Sequence, residues 1–192
     1  MKYALCFPFL ILLLSINLIV WDQNFYEKEM LNYETYEREV QNLKAFFIWG
    51  ELEEENYSER EIIHLKDVRR LIWLSIILLI LFTIPCIISL LKDTKEHIRK
   101  ECFKGGIYSL IILVGISLVL LSFSHTFILF HKILFTNDYW LLPADALLIQ
   151  MFPEEFFIRS TKQILLYSAI FSLLSILIGI FARGKKHDSK RT

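Results

Sequence analysis

Four windows of this 192-residue chain are apolar for about 18 residues or more. As helices rising ~1.5 Å per residue, such runs cross a hydrocarbon core of roughly 30 Å. They are Tyr3–Val20, Leu71–Leu91, Ile107–Phe130 and Ile164–Ala182. Each run is continuous, whereas the strands of a membrane barrel alternate apolar and polar residues. The sequence therefore predicts an all-α membrane protein, one domain over residues 1–192 with four transmembrane helices. A composition 55% hydrophobic and 15% aromatic sets it apart from an average soluble domain.

The charges are balanced overall but segregated. Lys92–Lys104 carries five basic residues against three acidic, and the tail after Ala182 carries five against Asp188 alone. Trp21–Arg70 reverses the balance, with thirteen acidic and seven basic residues. Basic loops stay cytoplasmic. The expected topology places both termini, the loop 92–106 and the tail 183–192 inside, with the segments 21–70 and 131–163 outside. The basic segments are short, ordinary positive-inside signals, so no nucleic-acid partner is expected. The first run is read as a retained helix, because Trp21-Asp22-Gln23-Asn24 after it is no small-x-small cleavage site. Cys6, Cys86 and Cys102 all fall at or near the cytoplasmic side, which argues against disulfides and against an outward-facing thiol nucleophile.

Between the runs, Tyr33, Tyr36, Val40, Leu43 and Phe47 recur at helical spacing, so Asn24–Gly50 reads as one amphipathic outer helix. Ser58-Glu59-Arg60-Glu61 fits a capping box that opens the helix running into the second span. Thr94–Lys104 reads as a charged connector, and Gly105-Gly106 as the start of the third span. Ala144–Phe152 is apolar but too short to span; bracketed by Pro143 and Pro153, it predicts a short interfacial helix.

The chemistry lies in what faces the outer boundary. There is no G-x-S-x-G elbow, no Walker loop, no H-E-x-x-H and no CxxC. His64 precedes the second run by seven residues, and His131 directly follows the third. Two histidines thus converge on one side of the membrane, and histidine is the side chain best suited to proton transfer near neutral pH. Asp67 and Asp138 are candidate partners that fix a tautomer or hold an ammonium group. A zinc site from His64, Asp67, His131 and Asp138 is conceivable, but its spacing is generic; no metal or cofactor is expected.

Two stretches also resemble a known family. Ser58-Glu59-Arg60-Glu61-Ile62-Ile63-His64-Leu65-Lys66-Asp67-Val68 is similar to the first signature region of the bacterial lipoprotein intramolecular transacylases. The segment from Phe130-His131-Lys132 through Trp140-Leu141-Leu142-Pro143 to Phe152-Pro153-Glu154-Glu155-Phe156-Phe157 is similar to the second. Leu65 stands where methionine is usual, and His125 matches no motif position. The resemblance implies a four-span enzyme of the cell membrane acting on diacylglyceryl-modified lipoproteins among membrane lipids. It would move the sn-2 acyl chain onto the lipoprotein's own N-terminal cysteine amine, giving the lyso form.

That reaction suits the residues. An α-amine, with a pKa of about 7.7–8.0, needs a base before it attacks an ester, and the leaving glyceryl oxygen needs a proton. His64 and His131 are the expected catalytic pair. Asp67, Asp138, Tyr139, Trp140 and Asp145 are the expected substrate-binding or orienting residues, with Tyr139 and Trp140 as candidate oxyanion donors. Two other readings fit four spans and an aromatic outer segment: a non-catalytic accessory or assembly protein, and a metal-dependent membrane hydrolase.

Overall fold

The computed structural model describes residues 3–181; the tail 183–192, expected inside, lies outside the described residues. A 3-10 turn at Ala4–Cys6 leads into α1 (Phe7–Trp21), followed by α2 (Gln23–Glu29) and α3 (Tyr33–Ile48). Next come α4 (Glu59–Lys92) and α5 (Lys95–Val119), and a 3-10 turn at Leu120–Ser122 joins α5 to α6 (Phe123–Leu134). The chain ends in a short α7 (Leu147–Met151) and a long α8 (Glu154–Phe181). No strand occurs among the described residues. Four helical stretches are long and apolar enough to cross a membrane: 4–21, 59–92, 95–134 and 154–181. The protein is a multi-pass, all-α membrane protein.

Small residues let these helices approach. A Cβ on Gly105 would collide with the Phe7 side chain, and one on Gly106 would lie 2.7 Å from the Ser172 carbonyl oxygen. Along α8, Ser168, Ser172, Ser175 and Gly179 form a buried small-residue face, the usual way for backbones to pack closely in lipid. Ser168 Oγ donates to Ser15 Oγ at 3.0 Å, tying α8 to α1. Ser175 Oγ donates to the Cys102 carbonyl at 2.8 Å, tying α8 to α5. On α4 the side chains of Leu74, Ile77, Ile80 and Leu81 stay exposed on the molecular surface. That is the expected state of a helix whose apolar surface meets lipid rather than water.

The cluster of buried apolar side chains lies instead in a cap at one end of the bundle. It joins Phe25 of α2, Val40, Leu43 and Phe46 of α3, Leu65 of α4, Leu148 and Met151 of α7, and Phe156 of α8. The capping box opens α4 as expected: Ser58 Oγ accepts from the Glu61 amide, and Glu61 Oε2 accepts from the Ser58 amide at 2.8 Å. At 34 residues α4 is about 51 Å long. The stretch before Leu71 therefore projects beyond a hydrocarbon core of roughly 30 Å.

Four local expectations need correction. The outer helix is two helices, because Asn32 adopts a left-handed conformation at φ 59° that ends the continuous path between α2 and α3. Asparagine tolerates that conformation better than most side chains. The connector read at Thr94–Lys104 is helical from Lys95, because the Thr94 side chain caps it by accepting from the His97 amide at 3.2 Å. Gly105-Gly106 therefore lies inside α5 rather than at its start. The interfacial helix is confined to Leu147–Met151, since a turn closed by Ala146 N–H to the Pro143 carbonyl takes up its first residues.

Candidate active site

His64 occupies the projecting part of α4, and His131 the last turn of α6. Their ring centroids are 6.0 Å apart with planes inclined at 35°. Two elements distant in sequence thus present two imidazoles to each other, close to where the apolar runs end.

His131 is buried and held from several sides. The Phe127 ring centroid lies 4.3 Å away, Trp140 at 4.9 Å, and Phe130 and Phe135 each at 5.5 Å. Its Nδ1 lies 2.7 Å from the Phe127 carbonyl oxygen. A carbonyl only accepts, so Nδ1 carries the hydrogen and, in the neutral ring, Nε2 keeps its lone pair. The tautomer-fixing partner of His131 is therefore a backbone carbonyl one helical turn back, and neither Asp67 nor Asp138, the candidates that the sequence offers.

His64 packs edge-on against Phe135, with centroids 5.2 Å apart. It lies outside the spanning run, and its pKa is lowered to about 4. Burial is the main cause; the neighbouring His131 lowers it further, and Asp67 opposes the shift. His64 is thus a neutral imidazole at neutral pH.

Asp67, one helical turn after His64, turns to other partners. Its Oδ1 accepts from Arg70 Nη1 at 2.7 Å and its Oδ2 from Asn137 Nδ2 at 2.9 Å. Asn137 Oδ1 in turn accepts from the Tyr139 amide at 3.1 Å. Asp67 therefore anchors the loop that carries Trp140 against His131. Arg60 holds the same loop, donating to the Asp138 carbonyl at 2.7 Å, with its guanidinium 5.6 Å from the Tyr139 ring centroid. The side chains of Asp138, Tyr139 and Asp145 are exposed. The Asp145 carbonyl accepts from Gln150 Nε2 at 2.9 Å. His125 is exposed, with Nδ1 3.0 Å from Ser122 Oγ beside the break between α5 and α6. Among the described residues, no group of three or more His, Cys, Asp or Glu side chains is placed to hold a metal. The set His64, Asp67, His131 and Asp138 does not form one.

Four contributors are not legible in the sequence: the Phe127 carbonyl, Asn137, Arg60, and Glu61, which beyond its cap also accepts from the Leu148 amide at 2.9 Å. Asn137-Asp138 is a turn-forming pair, and that was the one available signal for a structured loop. The structure assembles two facing imidazoles, one of fixed tautomer, under an aromatic loop clamped to α4. Such a site is equipped to take a proton from one atom and return it to another.

The chain has close structural relatives. The family described as lipoprotein intramolecular transacylase Lit matches residues 1–157. A solved structure of the membrane-integral lipoprotein intramolecular transacylase Lit from Bacillus cereus superposes with a TM-score of 0.73 at 22% identity, covering 94% of this chain and 92% of that one. A second structure of that protein, carrying a histidine-to-arginine mutation, gives a TM-score of 0.67 at 22% identity, covering 94% and 88%. No curated protein matches the chain. At that identity the structural likeness shows the shared fold.

Proposed function

The chain belongs to the lipoprotein intramolecular transacylase family, a family of acyltransferases, and from that premise we propose that it acylates the N-terminal amine of diacylglyceryl-modified lipoproteins within the substrate molecule. The chain transferred is the sn-2 acyl group, and the product is a lyso-form lipoprotein. Both termini face the cytoplasm and the histidine pair faces the opposite leaflet, in keeping with the basic 92–106 loop and the acidic 21–70 segment.

The observation that carries this reading is the bare Nε2 of His131, left by the Nδ1 bond to Phe127 at 2.7 Å, on a ring facing His64. The substrate α-amine attacks in its uncharged form: its nitrogen bonds to the ester carbonyl carbon, and His131 Nε2 takes a proton from that nitrogen as the bond forms, the carbonyl at Nδ1 and the surrounding aromatic faces favouring the resulting imidazolium. As the tetrahedral intermediate collapses, the carbon–oxygen bond to the glyceryl group breaks. His64, neutral at rest, donates its N–H to the departing oxygen, and the proton held on His131 restores it. The amine has lost one proton, the glyceryl oxygen has gained one, and the enzyme is unchanged. Trp140, packed at a tilt against His131, supplies the oxyanion donor.

Nucleophile and ester belong to one molecule, so holding them together lowers the entropic barrier without a second substrate. No acyl-enzyme is needed, in keeping with cysteines expected on the opposite side. The acyl chains lie along the apolar surface below the histidines. Asp67 and Arg60 act by fixing the loop, while Asp138, Tyr139 and Asp145 line its exposed, substrate-facing rim.

The test is tandem mass spectrometry of the N-terminal lipopeptide of a lipoprotein from cells with and without this protein. Fragmentation is required, because transfer within one molecule gives an isomer of unchanged mass. The expected result is a fragment retaining an acyl group on the cysteine nitrogen with the wild-type chain, absent with His131→Ala. Persistence of that fragment with both His131→Ala and His64→Ala would overturn the mechanism.

A further inference from the structure

The exposed stripe of α3 changes character along its length. It begins with Glu34, Glu37, Arg38 and Gln41, and ends with Ala45 and Ile48, followed by Trp49. The opposite face, with Val40, Leu43 and Phe46, is buried in the cap. Trp49 is 77% exposed and Ile48 45%, an unusual state for the tip of a helix whose apolar residues already have a core to fill. The Trp49 ring lies 4.7 Å from Trp73, the third residue of the apolar run of α4. The bare tip of α3 is thus continuous with the surface of a membrane-crossing helix.

The backbone at this tip is provided for as well. Arg69 reaches carbonyls at and just beyond the end of the helix, with Nη1 3.4 Å from the Gly50 oxygen and Nη2 3.5 Å from the Ile48 oxygen. Its guanidinium stacks 4.7 Å from the Phe46 ring centroid. Helix-end carbonyls entering a water-poor layer need such donors from the protein. Tryptophan pairs collect at the headgroup boundary because the indole is apolar with one N–H to satisfy.

We propose that Ile48 and Trp49 form a foot by which the cap is seated in the lipid of the same leaflet that Trp73 enters. The occupant of this surface is the glycerol and upper acyl region of bilayer lipid. The foot fixes the far end of α3, so this helix is a membrane-anchored wall of the cap rather than a free lid. The inference rests on the membrane insertion of α4 at Leu71–Leu91 and is independent of the acyl-transfer chemistry.

The wild-type protein, labelled with 5-fluorotryptophan and embedded in lipid nanodiscs, gives the test. The Trp49 resonance is assigned by its loss in Trp49→Phe, and that of Trp73 by Trp73→Phe. Fluorine spectra are recorded with a spin-labelled phospholipid bearing its nitroxide near the headgroup, and separately with a water-soluble gadolinium chelate. The foot predicts that Trp49 broadens with the lipid probe and survives the aqueous one, in step with Trp73. Broadening of Trp49 by the chelate while Trp73 follows the lipid probe would overturn the foot alone. Broadening of both by the chelate would overturn the foot together with the placement of α4 on which it rests.

Discussion

The carboxylate of Glu61 accepts a hydrogen bond from the Leu148 amide at 2.9 Å, joining the first turn of α4 to the first turn of α7. Its other oxygen accepts from the Ser58 amide at 2.8 Å and from Ser58 Oγ at 2.7 Å. Glu61 is only 2% exposed, yet every contact is a donor aimed at a carboxylate. It lies one turn before His64, so the same residue that starts α4 also sets where α7 docks beside the site.

Replacing Glu61 with glutamine keeps the size and removes one acceptor. Its amide nitrogen must then face either the Leu148 or the Ser58 N–H, donor against donor. The cost of an unsatisfied buried group is about 1–3 kcal/mol. Loss of the Ser58 cap alone, in Ser58→Ala, costs about 1 kcal/mol. The expected order of thermal stability in detergent is wild type, then Ser58→Ala, then Glu61→Gln, with lipopeptide N-acylation falling in the same order. Equal melting temperatures for wild type and Glu61→Gln would show that the α4–α7 link carries no weight.

The lowered pKa of His64, about 4, has a consequence with a definite sign. A histidine whose folded pKa lies below its free value of about 6.5 binds fewer protons when folded than when unfolded between those limits. Its contribution to stability is complete above pH ~6.5 and is lost as the pH falls toward 4. Unfolding midpoints measured across that window should fall in the wild type and fall less in His64→Gln. Activity follows a different group. The rate should rise with one proton up to the α-amine pKa of about 7.7–8.0 and show no inflection near 6.5 from His64. A single clear inflection at 6.5 in kcat/KM would contradict the neutral state of this half-buried ring.

Much of the architecture was open to the sequence because it depends on patterns that extend over many residues. Continuous apolar runs define the long helices, and Ser58-x-x-Glu61 defines where α4 starts. Both histidines could be placed near the same boundary from their distance to those runs. What escaped depends on single residues or on the backbone. One left-handed residue, Asn32, splits the outer helix, while the apolar stripe of α3 gives no sign of it. Arg60 and His131 find their partners in carbonyl oxygens, at Asp138 and Phe127, and a carbonyl is the same in every residue. Its charge marks Asp67 in the sequence, but its partner Asn137 lies 70 positions away, where only the folded chain brings it near.

That pair supports a sharper test of how the loop acts on the histidines. If Asp67 serves by holding Asn137, the loss of either partner frees the loop that presents Trp140 to His131, and losing both adds little. Contacting residues couple in this way by about 0.5–3 kcal/mol, whereas independent sites add. Asp67→Asn and Asn137→Ala should each lower kcat/KM by roughly tenfold, about 1.4 kcal/mol, and the double variant should resemble the singles. Arg60→Ala, which releases the same loop from a second point, should reduce activity further when combined with either. A direct role for the Asp67 charge on substrate predicts otherwise: Asp67→Asn would then reduce the rate far more than Asn137→Ala, with additive effects. Single-turnover rates on a diacylated lipopeptide, measured across the four-member cycle, distinguish a clamp from a substrate-binding carboxylate.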